Sequence, residues 1–355
     1  MPELTNAPTW FLDPIDGTIN FMHSLPYFNI SIALMIRKVL VLGIIYNPSN
    51  SEFYTATKGK SAFLNGKPIH VSNITGCTEM ARYAEDVYYE TAIKLTREAA
   101  QILRDSINGF KHIKEKLGDW DLVTEYDRQI EDIIIGGLKR AFSNHRFIAE
   151  ESTGKDLPEL TDAPTWIIDP IDGTTNFIHG FPHTCVVIGL AVKKEMVLGI
   201  VYNPILEQLF TARKGRGAFL NGKPIQVSKI QALVCMESGF IKVDDLREKM
   251  VERIQTIVKA VQGIRTLGVA ALTLCYIALG IVEAYYIEGP GISTWDIAAA
   301  SLIISEAGGV VVDRITGKPI DIMKPRAVAA CNERIARDVV RLIREADHRI
   351  DMRTK

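Results

Sequence analysis

The sequence has few of the features that mark secreted, zinc-binding or membrane-spanning proteins. Its five cysteines are odd in number, lie far apart and form no C-x-x-C pair, which argues against a disulfide framework or a structural zinc site. We therefore expect reduced, mostly buried thiols in a cytoplasmic protein. No basic segment followed by an apolar stretch opens the chain, so no signal peptide is predicted. The most apolar run, residues 267–282, is short for a membrane span and is expected to form a buried helix.

Net charge is also nearly absent. The formal charge is −1, with 47% hydrophobic and 23% charged residues, which is the composition of an ordinary globular protein. Such a chain has no strong field for nucleic acid or an anionic membrane, so neither is expected as a partner. An anionic substrate must instead be held locally, by metal ions, backbone N–H groups or individual side chains.

An internal repeat organises the sequence. Residues 2–80 align without a gap with residues 158–236, and more than half of the aligned positions are identical. Two copies are too few for a solenoid. We interpret residues 81–355 as one complete unit and residues 1–80 as a partial duplicate of one of its segments. A tandem duplication and a merging of two neighbouring copies would both produce this arrangement.

The complete unit predicts a mixed α/β fold with an α+β half at about 81–237 and an α/β half at 238–355, divided near Ser238. Apolar residues recur at helical spacing from Tyr88 to Ile107 and again from Ile130 to Ala141. Short apolar runs predict strands at 147–149, 166–168, Cys185–Val192, 197–202, Val310–Asp313 and 327–331. Further helices are predicted at 295–307 and around 339–343.

Several acidic residues stand beside these apolar runs or at the starts of helices: Asp127, Glu150, Asp169, Asp172 and Asp296. Carboxylates at strand ends lie where α/β folds usually place their sites. Hard oxygen ligands of this kind suit Mg²⁺ rather than zinc or copper. Taken singly, each residue is more often a helix cap or a turn former. Their combined order favours a metal site.

One short loop carries most of the chemical information. Asp169 and Asp172 can face the same cavity if the chain turns between them, and the carbonyl of Ile171 can be a third oxygen ligand. Gly173 and Thr174 then offer N–H groups at a helix start, where phosphate binds readily. Metal ligands and a phosphate seat in one loop indicate phosphoryl chemistry.

These segments resemble the signatures of a known family. The stretch Trp166-Ile-Ile-Asp-Pro-Ile-Asp-Gly-Thr-Thr-Asn-Phe-Ile-His resembles the first signature of the inositol monophosphatase family. Trp295-Asp-Ile-Ala-Ala-Ala through Glu306-Ala-Gly-Gly-Val resembles the second, and Glu150-Glu-Ser and Asp121-Leu-Val-Thr-Glu-Tyr-Asp also match in order. The resemblance covers nearly all of residues 81–350. It implies a five-layered αβαβα sandwich, usually a homodimer, with two or three Mg²⁺ ions per site.

The resemblance also implies roles for individual residues. The first metal would be held by Glu150, Asp169, the Ile171 carbonyl and Thr174, and the second by Asp169, Asp172 and Asp296. A third, weaker metal would use Glu150 through water. Asp127 would support a water network between Glu150 and Thr174, which together with metal activate the attacking water. Lys116 would lie on a mobile loop beside the metals.

Substrate contacts follow from the same resemblance, and here the sequence departs from the family pattern. The implied contacts are Asp172, Gly173, Thr174, Ala270, Glu288 and Asp296. Gly-Val-Ala-Ala from Gly268 stands where the family often has Gly-Thr-Ala-Ala, and the loop that contains Glu288 is longer than usual. The catalytic residues match the family, whereas the sugar side differs.

The function predicted from this resemblance is Mg²⁺-dependent, lithium-sensitive hydrolysis of myo-inositol 1-phosphate to myo-inositol and phosphate. One alternative is a phosphatase for another sugar phosphate or a nucleotide phosphate, although no aromatic or basic platform for a base is evident. The other is a non-catalytic regulatory homologue whose site the duplicate blocks.

The partial duplicate is predicted to carry no second active site. Asp13, Asp16 and Thr18 match Asp169, Asp172 and Thr174. The duplicate has no match to the acidic residues that precede and follow this loop in the complete unit. It therefore supplies only part of a ligand set.

Overall fold

The computed structural model describes residues 5–16, 18, 21, 28–49, 51–69, 78–118, 121–154, 157–228, 233–237, 244–287, 292–324 and 326–353. The chain divides into two compact units, Met1–Met80 and Ala81–Lys355. The division falls at the end of the segment that the sequence repeats.

The first unit contains a six-stranded antiparallel sheet whose strands follow one another in chain order. Apolar side chains of this sheet remain exposed: Trp10 is 53% accessible, Leu12 69% and Leu40 54%. The strands are β1 (Thr9–Asp16), β2 (Asn29–Ile36), β3 (Val39–Asn47), β4 (Glu52–Thr57), β5 (Ala62–Leu64) and β6 (Lys67–Ile69).

The second unit begins with two long helices, a two-stranded hairpin and a seven-stranded sheet in the order β15-β14-β13-β12-β11-β10-β9. Only the β9–β10 pair is parallel. The elements are α1 (Thr78–Ser106), β7 (Lys114–Gly118), β8 (Asp121–Val123), α2 (Glu125–Ala141), β9 (Arg146–Ala149), β10 (Thr165–Asp172), α3 (Thr174–Ile178), β11 (Cys185–Val192), β12 (Glu195–Asn203), β13 (Gln208–Arg213), β14 (Ala218–Leu220) and β15 (Lys223–Ile225).

A five-stranded mixed sheet in the order β17-β16-β18-β20-β19 completes the unit. Strand β16 runs parallel to both β17 and β18, so the carboxyl ends of these strands lie at the same edge. The elements are β16 (Leu233–Met236), α4 (Asp244–Val258), β17 (Gly263–Arg265), α5 (Ala270–Ala278), β18 (Ala284–Ile287), α6 (Thr294–Glu306), β19 (Val310–Asp313), β20 (Ala327–Ala330) and α7 (Glu333–Arg353).

Side chains along a strand point alternately to the two faces of the sheet, so apolar residues pack on both faces. They form three main clusters between the layers of helices and sheets. Helices α1 and α2 cover one face of the seven-stranded sheet, where Leu103 and Ile134 pack with Ile188. Helices α5 and α6 fill the space between the two sheets. Helices α4 and α7 cover the far face of the five-stranded sheet. The predicted five-layered αβαβα sandwich is confirmed.

Helix α6 of the middle layer lies very close to the seven-stranded sheet at Gly199. A Cβ atom at Gly199 in β12 would lie 2.3 Å from the carbonyl oxygen of Ala299 in α6, so only glycine fits there. Gly43 occupies the equivalent position of β3 in the first unit, and a Cβ atom there would meet nothing within 4 Å. The duplicate therefore keeps a glycine that its own described surroundings do not require.

The predicted elements agree with the structure, with a few differences at their ends. Helix α1 begins at Thr78, before the predicted apolar pattern, and β10 extends to Asp172, so the acidic loop is part of the strand. The apolar run at 267–282 forms the buried helix α5, as predicted, and no helix in the described ranges has the length and apolarity to cross a membrane.

The predicted division near Ser238 falls on a residue outside the described part of the chain. Strand β16 lies on the N-terminal side of that division, yet it pairs in the five-stranded sheet of the second half. The change from one sheet to the other therefore occurs after Ile225 and before Leu233.

Candidate active site

The acidic loop at the end of β10 is shaped by its own hydrogen bonds. The register with β11 shifts between Asp169 and Asp172, which bulges the strand. The backbone N–H of Ile171 donates to Oδ1 of Asp169 at 3.0 Å, and the Thr174 hydroxyl donates to the Ile171 carbonyl at 3.0 Å. Gly173 then adopts φ +83°, in the left-handed region that favours glycine. The loop thereby turns both aspartates into the interior.

Three buried carboxylates meet at this loop. Ligand oxygens of Asp169, Asp172 and Asp296 all lie within 4.8 Å of one another. Asp296 comes from the first turn of α6, where its Oδ2 accepts the backbone N–H of Ser293 at 2.5 Å in a capping box. The fold therefore brings together residues from a strand end and a distant helix start, and their role as metal ligands stays a prediction.

The three buried carboxylates of this cluster have raised pKa values, which a nearby cation would lower. Burial raises the pKa of Asp169 and of Asp296 well above the usual range, and repulsion from the neighbouring carboxylates adds to the shift. Burial also raises the pKa of Asp172 to about 6, against the opposing effect of two backbone N–H donors. A divalent metal ion would compensate these desolvated like charges. An all-oxygen donor set fits Mg²⁺.

Glu150 joins the cluster from the end of β9. Repulsion from its carboxylate contributes to the raised pKa of Asp169. Glu131 of α2 accepts the backbone N–H of Glu151 at 2.8 Å and so stabilises the turn that follows β9. The sequence analysis did not identify this residue. Its only sequence signal is its place on the buried face of a predicted amphipathic helix.

Asp127 and Thr174 lie next to each other, as the resemblance implies. Oδ2 of Asp127 accepts the backbone N–H and the hydroxyl of Thr124, at 2.8 and 2.6 Å, in the capping box of α2. Oδ1 lies 3.5 Å from the Thr174 hydroxyl. Asp127 thus both caps a helix and reaches the metal-site loop.

The start of α5 fixes the orientation of Asp172. Backbone N–H groups of Ala270 and Ala271 donate to its two carboxylate oxygens, at 3.1 and 2.6 Å. The Cys185 thiol lies 3.8 Å from Oδ2. The N–H of Ala270, a predicted substrate contact, is therefore directed at Asp172.

Two predicted site residues fall partly or wholly outside the described part of the chain. Glu288 belongs to residues 288–291, which are not described. The backbone of Lys116 lies in β7, and its side chain is likewise outside the described residues. Their roles remain predictions.

Asn176 is a further polar residue that the sequence analysis did not identify. Its Nδ2 donates to the carbonyl oxygens of His183 at 2.8 Å, Leu267 at 2.7 Å and Gly268 at 3.3 Å. It therefore ties the acidic loop to the segment before α5. Asn176 lies within the family signature, but its partner Leu267 is 91 residues further along the chain.

The duplicate loop in the first unit repeats two hydrogen bonds of the acidic loop without the cluster. Ile15 N–H donates to Asp13 Oδ1 at 3.2 Å, and the Thr18 hydroxyl donates to the Ile15 carbonyl at 2.9 Å. Asp13 and Asp16 are exposed. Over the described ranges, the one set of three or more potential metal ligands is that of Asp169, Asp172 and Asp296.

Comparison with known proteins agrees with this site. The family model described as the inositol monophosphatase family matches residues 1–85 and 84–348. Inositol monophosphatase 2 of Rattus norvegicus is 43% identical over 257 residues, which cover 71% of this chain and 88% of the relative. Inositol monophosphatase 2 of Solanum lycopersicum is 43% identical over 267 residues, covering 73% and 99%.

A solved structure gives the same result. The IMPase of Thermotoga maritima matches with a TM-score of 0.65 and 30% identity, covering 75% of this chain and 99% of that one. With two family matches along its length and curated relatives above 40% identity, this chain belongs to the inositol monophosphatase family, a family of phosphatases.

Proposed function

We propose that this chain hydrolyses inositol phosphate monoesters, converting myo-inositol 1-phosphate to myo-inositol and phosphate with Mg²⁺. The observation that carries the proposal is the buried cluster of Asp169, Asp172 and Asp296, with ligand atoms within 4.8 Å. It is supported by the names of the relatives, which are inositol monophosphatases matched over most of the chain.

Two or three Mg²⁺ ions would be held by oxygen atoms of this loop and its neighbours. The proposed ligands are Glu150, Asp169, the Ile171 carbonyl, Thr174, Asp172 and Asp296. When bound, Mg²⁺ supplies a Lewis acid that polarises the phosphate and lowers the pKa of a water molecule. Without such ions the buried carboxylates would repel an anionic substrate.

The side chains around the loop would orient and deprotonate the water. We assign Thr174 to hold the water, because its hydroxyl is fixed between the Ile171 carbonyl at 3.0 Å and Asp127 at 3.5 Å. A carboxylate oxygen of Glu150 would accept the proton. The backbone N–H groups of Gly173 and Thr174 would bind the phosphate oxygens.

On the alcohol side, the proposed contacts are Asp172, Ala270, Glu288 and Asp296. Because the N–H of Ala270 donates to Asp172, Ala270 would contact the substrate with its methyl group and carbonyl rather than with that donor. The replacement of the usual threonine by Val269 leaves an apolar residue at this edge of the site.

The deciding experiment measures phosphate release from a panel of phosphomonoesters. The panel contains myo-inositol 1-phosphate, a sugar bisphosphate and a phosphoadenosine nucleotide. We expect the highest kcat/KM for the inositol ester, complete loss in excess chelator, and inhibition by lithium. A clear preference for another ester would favour the alternative phosphatase. No turnover with any ester, despite Mg²⁺ binding, would favour a regulatory homologue.

Two further properties are proposed, the oligomeric state from the family resemblance and the cellular location from the cysteine content. We expect a homodimer, which sedimentation equilibrium would test, with a monomeric mass as the contrary result. We also expect a cytoplasmic location, which fractionation of cells that express the full chain would test.

A further inference from the structure

The side chain of Asn176 joins three segments of the chain beside the carboxylate cluster. Asn176 lies in α3, directly after the acidic loop. Its Nδ2 donates to the carbonyl oxygen of His183 at 2.8 Å, and to those of Leu267 and Gly268 at 2.7 and 3.3 Å. All three partners only accept hydrogen bonds, so the NH₂ group of the amide is the side that must face them. Asn176 thus connects the acidic loop to the segments that precede β11 and α5.

The acidic loop packs against two of these carbonyl groups. Gly173 has φ +83°, and a Cβ atom there would lie 2.9 Å from the carbonyl oxygen of His183 and 3.3 Å from that of Gly268. The carbonyl groups that Asn176 binds therefore form the surface on which the loop rests, one residue after Asp172.

The segment that Asn176 holds leads directly to the donors that orient Asp172. The backbone N–H groups of Ala270 and Ala271 bind the two carboxylate oxygens of Asp172, at 3.1 and 2.6 Å. Valine has no side-chain acceptor, so Val269 at the N-cap position of α5 cannot bind the first N–H groups of this helix. The carboxylate of Asp172 accepts them in its place, which couples the orientation of Asp172 to the position of the start of α5.

We propose that Asn176 is a positioning residue for the metal site, which acts through the turn at residues 267–268 to set the orientation of the Asp172 carboxylate. The proposal rests on the proposed Mg²⁺-dependent function. Without the amide, the two carbonyl groups of this turn lose their donor, and the turn is free to move. The N–H groups at the start of α5 move with it, and Asp172 turns within the three-carboxylate cluster. Asn176 itself does not touch the reacting atoms.

Two substitutions at this position remove the amide to different degrees. Asn176→Ala removes both N–H donors. Asn176→Ser keeps a single hydroxyl donor, which has one hydrogen atom to share among the carbonyl groups. Neither variant changes a proposed metal ligand or the charge of the site, so a change in Mg²⁺ affinity reports on the position of the ligands.

Asn203 offers a matched control. It is a fully buried asparagine at the end of β12, and its Nδ2 donates to the carbonyl oxygen of Pro182 at 2.7 Å, also in the segment that precedes β11. Its Oδ1 accepts the backbone N–H groups of Ile205 and Leu206, at 2.9 and 3.1 Å. These hydrogen bonds do not reach the turn at residues 267–268. Asn203→Ala therefore makes the same chemical change without loosening the start of α5.

The test measures Mg²⁺ binding by titration calorimetry on the metal-depleted full chain, without substrate, alongside kcat, KM and thermal unfolding. We expect Asn176→Ala to weaken Mg²⁺ binding about 10-fold, the lower end for groups that orient metal ligands. Its kcat should fall at limiting Mg²⁺ and recover at saturating Mg²⁺, with KM for the ester changed less. Asn176→Ser should bind Mg²⁺ with an affinity between those of Asn176→Ala and the unaltered chain. Asn203→Ala should lower the unfolding temperature and leave the Mg²⁺ affinity unchanged.

Unchanged Mg²⁺ affinity in Asn176→Ala overturns the proposal. An equal loss of affinity in Asn203→Ala also overturns it, because the effect would then come from a general loosening of the fold. If Asn176→Ala does not unfold cooperatively, Asn176→Ser decides, and unchanged affinity there overturns the proposal. Failure of the unaltered chain to bind Mg²⁺ would instead contradict the proposed function.

Discussion

The N–H of Ala271 donates a 2.6 Å hydrogen bond to Oδ2 of Asp172, across 99 residues of sequence. This bond and its partner from Ala270 occupy one lone pair on each carboxylate oxygen. Oδ2 also faces the Cys185 thiol, so Oδ1 is the oxygen that keeps a lone pair for a metal ion. A helix start in the second half of the unit therefore holds a proposed metal ligand that the first half carries.

Replacement of Asp172 should affect catalysis far more than stability. Asp172→Asn removes a buried negative charge and turns an NH₂ group toward one of the backbone N–H donors of Ala270 and Ala271, so the free energy of unfolding should fall moderately, by the cost of one unsatisfied buried donor. Loss of a charge-stabilising group typically lowers the rate by about two to three orders of magnitude. Steady-state kinetics and thermal unfolding of the same preparation provide the measurement.

The duplicate supplies the control for this substitution. Asp16→Asn makes the same change in the exposed copy of the loop and should leave kcat and KM unchanged. Near-normal turnover in Asp172→Asn would show that this residue only shapes the turn. Reduced turnover in Asp16→Asn would show that the duplicate takes part in a site.

Stability of the metal-free protein should fall as the pH rises through the range in which the cluster ionises. The pKa of Asp172 is raised from 3.8 to about 6, so between these values the folded state binds more protons than the unfolded state. The free energy of unfolding therefore decreases as the pH rises across this window. The raised pKa values of Asp169 and Asp296 extend the trend to higher pH.

Thermal unfolding in chelator, at pH values below and above this window, measures the effect. Added Mg²⁺ should remove the loss at high pH, because the ion compensates the carboxylates. Asp172→Asn in chelator should show a shallower pH dependence than the unaltered chain. A steeper dependence would contradict the assignment to this cluster.

The close contact between β12 and α6 predicts a large difference between two equivalent glycines. Gly199→Ala places a methyl group 2.3 Å from the carbonyl of Ala299, and such overpacking typically costs about 1–3 kcal/mol. Gly43→Ala meets no atom within 4 Å and should leave the unfolding of the second unit unchanged. Differential scanning calorimetry of both variants tests this. Equal effects would mean that α6 does not press on β12.

Removal of residues 1–80 should leave an active protein. We propose that residues 81–355 form the complete catalytic unit, because all three clustered carboxylates lie within them. Removal should also improve solubility, since the sheet of the first unit exposes Trp10, Leu12 and Leu40. Phosphate release and light scattering of the two chains give the comparison. Loss of activity on removal would show that the duplicate is required, for instance by exchange into a neighbouring chain.

Much of the site could be predicted because its signals are local. Two hydrogen bonds within the six residues from Asp169 to Thr174 shape the acidic loop. Asp296 was recognisable as an acid in a first helical turn. The individual helices and strands followed from apolar runs and periodicity, whereas the five-layered arrangement followed from the resemblance to the family.

The parts that could not be predicted depend on contacts between distant segments. Nothing near Ala271 in sequence indicates that its N–H binds Asp172. Asn176 was visible in the signature, but its hold on Leu267 required the fold.

The two copies of the acidic loop separate the shape of a metal site from its charge. The strand bulge and both internal hydrogen bonds form at residues 13–18, where the aspartates face solvent, just as they form at residues 169–174 inside the cluster. The loop is therefore preorganised by its own sequence, and metal binding does not have to supply the free energy of shaping it. Folding must instead bring Glu150 and Asp296 against the aspartates of this loop, and a bound cation would compensate the repulsion between these carboxylates. We therefore expect the affinity for the ion to depend on how the strands and helices bring Glu150 and Asp296 to this loop, and not on the loop alone.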